Sequence, residues 1–132
     1  MIKLCVFGGR NLYPTIAQIN DAVSSYYEPY DHLLVSRSSV EVVCGMAPGA
    51  DTQGLLWGEL MGLHVEKFYA QWSKGNQAGP ERNERMAAYA THGIGFWDGK
   101  SRGTSNMAAL LLLAGKPVKL VPMSPTPRPL KP

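Results

Sequence analysis

Cysteine is scarce in this chain: among 132 residues there are only Cys5 and Cys44. Both sit in apolar runs of strand character, so they are expected as buried free thiols behaving as small hydrophobes. A zinc site would need more ligands at closer spacing. His32, His64 and His92 are scattered without ligand spacing, and no metal or other cofactor is expected. Long apolar runs are missing too. Leu110 to Leu113 is far short of the roughly 20 residues that cross a bilayer. The N-terminus enters an apolar run at once, without a signal-peptide layout. A cytoplasmic protein with no membrane partner is therefore expected. Charge of either sign is thin, with a formal net of +3. A nucleic-acid coat or membrane-surface protein would carry a dense basic face instead. Two nucleotide-binding signatures are also absent: G-x-x-x-x-G-K-[ST], and G-x-G-x-x-G after the first apolar run. Classical ATPases and nicotinamide enzymes are disfavoured.

What the chain does have is size for one core-bearing domain, an ordinary apolar share, and strand-like runs alternating with helical ones. Met1 to Phe7 reads as a first strand. Pro14 suits the first turn of a helix in which Ile16, Ile19, Val23 and Tyr26 or Tyr27 keep helical spacing, with Glu28-Pro29 as its end. Residues 30–39 read as helix continuation or loop. Val40 to Cys44 is a second strand, followed by a helix from Thr52 to about Met61. Gly54 and Gly58 weaken that helix by about 1 kcal/mol each relative to alanine, but offer a flat face for packing on a sheet; Gly62 is its stop. His64 to Tyr69 alternates as an edge strand does. A long loop covers Ala70 to Pro80, and a helix runs from Pro80 to Ala90. Gly93 to Trp97 is a fourth strand. A last helix carries Met107, Leu110, Leu111 and Ala114 on one face, with Leu112 and Leu113 making the other side apolar too; a dimer contact would cover both. Pro117 to Val121 is a fifth strand. Residues 1–121 thus form one domain, and 122–132 a proline-rich, unpacked tail. Strand alternating with helix about five times implies an α/β, Rossmann-like three-layer fold, with a mainly parallel sheet and helices on both faces.

In such sheets ligands sit at the carboxyl ends of the strands. Every glycine-bearing break lies at such an end: after Phe7, Cys44, Tyr69 and Trp97. A strand that turns at glycine into a helix leaves N–H groups pointing outward beside the positive end of the helix dipole, where phosphate or carboxylate binds well. The turn Gly45-Met46-Ala47-Pro48-Gly49-Ala50-Asp51 is the leading example. Arg10, Lys74, Arg82, Lys100 and Arg102 fall in or beside these breaks. Tyr13, Trp72 and Trp97 could stack on a base. A nucleotide or nucleotide-derived ligand satisfies all three features, although each glycine turn taken singly has an architectural explanation, and Asp51 also suits a helix cap.

Val6-Phe7-Gly8-Gly9-Arg10, the 45–51 turn, Trp72 with Ala78-Gly79-Pro80-Glu81-Arg82-Asn83 and Met86, and Trp97-Asp98-Gly99 with Arg102-Gly103-Thr104 together resemble the SLOG superfamily. The nearest pattern is its small YspA (cpYpsA-related) branch of phage and bacterial proteins. The likeness covers residues 1–121 with the motifs in the family's order. It implies a Rossmann-like fold that recognises nucleotides or their derivatives, ADP-ribose-type signals included, with homodimers or higher homo-oligomers common. With the features above, it marks Gly8, Gly9, Arg10, Gly45, Gly49, Ala50, Asp51, Trp72, Lys74, Arg82, Asn83, Gly99, Arg102, Gly103 and Thr104 as ligand-binding. The phosphoribohydrolases of the superfamily carry P-G-G-x-G-T-x-x-E, whose glutamate serves glycosidic cleavage; here that position is Met107. This favours a binder that senses or sequesters a signalling nucleotide, as a phage counter-defence protein would. A nucleotide-processing hydrolase is the alternative, its carboxylate drawn from Asp51 or Asp98, with Glu81 a further local candidate. A single-stranded DNA binder is a weaker alternative that the modest charge disfavours.

Overall fold

A computed structural model of the chain describes residues 1–27, 39–125 and 127–129. Its strands are β1 (Ile2–Gly8), β2 (Val40–Cys44), β3 (His64–Lys67), β4 (His92–Trp97) and β5 (Val118–Pro122). Its helices are α1 (Ile16–Tyr26), α2 (Ala50–Leu60), α3 (Ala78–Tyr89) and α4 (Arg102–Leu113). All strand pairs are parallel, in the order β3-β2-β1-β4-β5.

β1 is central, so both of its faces must be apolar, and its near-continuous hydrophobic run reflects that. Leu4 and Val6 point into one core with Ile19, Val23, Val42, Trp57, Ile94 and Phe96, beneath α1 and α2. Cys5 and Phe7 point into the other with Val43, Met86, Ala87, Met107 and Leu111, beneath α3 and α4. The result is three layers, helices on both sides of a parallel sheet, as the alternation of elements implies. The alternating third strand does lie at an edge, and both cysteines are buried free thiols.

Several boundaries differ from the sequence reading. Pro14 precedes α1 rather than opening it. Thr15 caps the helix in a capping box: its hydroxyl accepts from Gln18 N at 3.0 Å, and Gln18 Oε1 accepts from Thr15 N at 2.8 Å. The Pro14 carbonyl accepts from Gln53 Nε2 at 3.0 Å, tying α1's entry to α2. The long loop expected over 70–80 holds a 3₁₀ segment, Trp72–Gln77, that runs straight into α3. The expected helix end at Glu28-Pro29, most of the ambiguous 30–39 stretch, and His32 lie outside the described residues. α4 is not buried on both sides within the chain: Leu112 is 61% and Leu113 85% exposed. Pro122 belongs to β5, and Met123 N donates to Trp97 O at 2.9 Å, so the packed region reaches past the expected start of the tail.

The flat glycine face of α2 is real and sets its distance from the sheet. A Cβ on Gly54 would lie 2.8 Å from Val6 Cβ, and one on Gly58 would lie 2.9 Å from side-chain carbons of Val42 and Val65. Gly54→Ala gains about 1 kcal/mol of helix propensity, but overpacking against the central strand costs about 1–3 kcal/mol. Net destabilisation, seen as a lower urea midpoint, is expected. A raised midpoint would mean that α2 stands off the sheet.

Candidate functional site

Strand order reverses between β1 and β4, and in open parallel sheets the crevice at such a point is where ligands bind. A cavity of about 460 Å³ opens there, walled by the carboxyl end of β1 and the first turns of α2, α3 and α4.

Its floor depends on backbone without side chains. A Cβ on Gly8 would meet Phe96 O at 2.4 Å and Ala50 Cβ at 2.7 Å. Gly9 N donates to Phe96 O at 3.2 Å, and Gly9 O accepts from Ala50 N at 3.2 Å. Gly49, at φ 82, sits so close that a Cβ would lie 2.4 Å from Gly9 O. Gly8, Gly9, Gly49 and Ala50 therefore clasp the first two βα turns together. Of these four, only Gly8 reaches the cavity wall.

Asp51 follows in the first turn of α2. It does not cap the helix, since the cap position is Gly49. Its side chain turns inward, is 4% exposed, and accepts from Ala47 N at 3.4 Å. The Gly8 amide also favours its charged form. The leading anion site of the sequence reading is thus filled by the chain's own carboxylate. Burial pushes the Asp51 carboxyl up to about 6, against the opposing pull of Arg82, the two amides and Arg10.

Arg82, on α3, is 9% exposed. Nη1 donates to Gly45 O at 3.1 Å, Nη2 lies 3.5 Å from Asn83 Oδ1, and the buried Nε has no hydrogen-bond partner among the described residues. Gly45 is what lets this group in: a Cβ there would lie 2.8 Å from Asp51 Oδ2 and 3.2 Å from Arg82 Nε. Asn83 then joins α3 to α4, donating through Nδ2 to Asn106 Oδ1 at 3.0 Å and Gly103 O at 3.4 Å.

The first turn of α4 forms the opposite wall. Ser101 caps it, accepting from Thr104 N at 3.4 Å and facing Thr104 Oγ1 at 3.0 Å. Helix geometry leaves the Arg102 and Gly103 N–H groups without intrahelical partners. A Cβ on Gly103 would meet nothing within 4 Å, and the same is true of Gly79 across the cavity. Neither has the steric reason to be glycine that Gly8, Gly45 and Gly49 have.

Gly8, Arg10, Asp51, Arg82, Asn83, Arg102, Gly103 and Thr104 therefore meet at one cavity. Gly45 and Trp72 line an adjoining hollow of about 380 Å³, which shares Arg10, Ala47 and Arg82 with the first. The remaining residues go elsewhere. Lys74 is exposed on the 3₁₀ segment and lines neither hollow, and Tyr13 lines neither. Asp98 and Gly99 border a separate depression beside Leu120 and Pro122. Asp98 Oδ1 accepts from Lys100 N at 2.8 Å and Ser101 N at 2.9 Å, which holds its carboxyl below the usual range. It organises the turn and does not face Asp51. Trp97 is likewise structural, its Nε1 donating to Ser101 O at 3.0 Å. Sequence reasoning passed over two polar wall residues, Ser101 and, further along α4, Asn106. The latter's place three residues after Gly103, on the same helix face, is the signal that could have found it.

No protein-family model, curated protein or solved structure matches this chain. Chemically, three arginines against one carboxylate, beside an open helix N-terminus, make the cavity a place for an anionic group.

The Asp51 shift predicts a pH dependence. Its folded value, about 6, lies above the unfolded value near 3.8, so the folded state binds the extra proton between them. Stability from this group is then greatest below about pH 4 and falls as pH rises to about 6, by at most about 3 kcal/mol. Urea unfolding of wild type and Asp51→Asn from pH 4 to 8 isolates it: the variant should gain on wild type across this window and then level off. A constant difference would show that Asp51 titrates normally.

Proposed function

We propose that this protein binds a nucleotide or nucleotide-derived small molecule, in the manner its resemblance to the SLOG superfamily suggests. The observation that carries the reading is the cavity at the strand-order reversal, where Arg10, Arg82 and Arg102 converge with the first turn of α4. Its volume of about 460 Å³ falls in the usual range for small-molecule sites. Phosphate oxygens sit against the Arg102 and Gly103 backbone, with Arg82 at their side. Gly79 and Gly103 keep the approach clear. An ADP-ribose-type signalling nucleotide, sensed or sequestered, is the ligand class this reading favours.

Calorimetry with AMP, ADP and ADP-ribose tests it. Binding tighter than about 1 mM by at least one of them is expected, and none tighter than that would count against the proposal. Gly103→Val enters open space and should shift stability by no more than about 1 kcal/mol, yet weaken binding at least about ten-fold by blocking the helix terminus. A variant that binds as wild type does would remove phosphate from α4.

A second reading is favoured by Asp51 alone: a buried carboxyl titrating at about 6 on the cavity wall suits a general acid or base. On that reading the protein cleaves an N-glycosidic or phosphate bond. Chromatography after incubation separates the two, since free base or ribose phosphate marks a hydrolase and intact ligand a binder. Cleavage that survives Asp51→Asn would exclude Asp51 as its catalyst.

A further inference from the structure

The hollow beside Trp72 is not absorbed by a mononucleotide in the main cavity. Its walls include Met46, Pro48, Tyr69 and Trp72, and it meets the main cavity along Arg10, Ala47 and Arg82. Tyr69 is 60% and Trp72 61% exposed, so two large aromatic side chains are held at its surface rather than in the core. Arg10 places its guanidinium 5.6 Å from the Trp72 ring centroid, a cation beside a π-face. Met46, in the same wall, holds a left-handed backbone (φ 60) that non-glycine residues seldom adopt.

We propose that this hollow is a second subsite, and that the whole site takes a ligand of the dinucleotide class, with two ring-bearing groups joined by a diphosphate bridge that reaches from the α4 terminus to the Arg10–Arg82 waist. The inference rests on the nucleotide-binding reading above and adds the second ring. Two separate anions would repel one another at a waist that both hollows share. A single bridging diphosphate meets both arginines at once and leaves a ring on either side. Arg82, nine-tenths buried with Nε unpartnered, is a built cation at this junction. Trp72 offers the flat face on which any base stacks.

Calorimetry on the full chain with ADP and diadenosine diphosphate tests this, against wild type, Trp72→Ala and Trp72→Phe. ADP carries more negative charge, so charge alone predicts that it binds tighter. The second subsite predicts the reverse, with diadenosine diphosphate ahead by about ten-fold or more. Trp72→Ala should erase the advantage of diadenosine diphosphate over ADP measured on the same variant, and Trp72→Phe should keep most of it, because phenylalanine retains a stacking face. ADP binding as tightly as the dinucleotide, or an advantage that survives Trp72→Ala, would overturn the second subsite and leave the nucleotide reading standing. Binding of neither ligand would overturn the second subsite, and would overturn the nucleotide reading too if AMP and ADP-ribose also fail to bind.

Discussion

A buried carboxyl and a buried guanidinium share the space over Gly45, and the carboxyl end of the sheet is arranged around them. Neither group is cheap to hold away from water. Asp51 is kept there by amides of the two βα turns, and Arg82 by the carbonyl of Gly45. Without a Cβ at position 45 both fit; with one, either would have to move. Because Arg82 belongs to α3 and Asp51 to α2, the pair also sets how helices from opposite faces of the sheet meet at its carboxyl edge.

That arrangement divides the glycines into two kinds. Gly8, Gly45, Gly49 and Gly54 are bound by close approach, and the packing alone explains them. Gly79 and Gly103 face open space beside arginines and a helix terminus, and packing gives no reason for their smallness. The central β1–α2 unit is therefore closely packed, and the open glycines lie across the cavity from it, on α3 and α4.

Much of the fold was legible in the residues. The apolar run of β1, the alternation of β3 and the Gly54/Gly58 face are local patterns whose period or size reports directly on burial. The convergence of Arg10, Arg82, Arg102 and Thr104 followed from one topological rule, because all lie past carboxyl ends of parallel strands. Lys74, Asp98 and Gly99 obeyed the same rule and did not join them. Asp98 is held by the backbone of its own turn, and a turn that satisfies itself locally has no need to face the crevice.

The sequence by itself determined the layers and the end of the sheet at which chemistry could collect, because hydrophobic period and strand-to-helix order act over a few residues. Only the tertiary structure decided what fills the 45–51 turn. A cap and an inward-facing carboxylate look alike in sequence, and the choice between them is made with Ala47 of the same turn by Gly8 and Arg82, which reach Asp51 from other elements. The same holds for Asn106, whose partner Asn83 lies on a different helix, and for the exposure of Leu113, which depends on what the neighbouring elements leave uncovered.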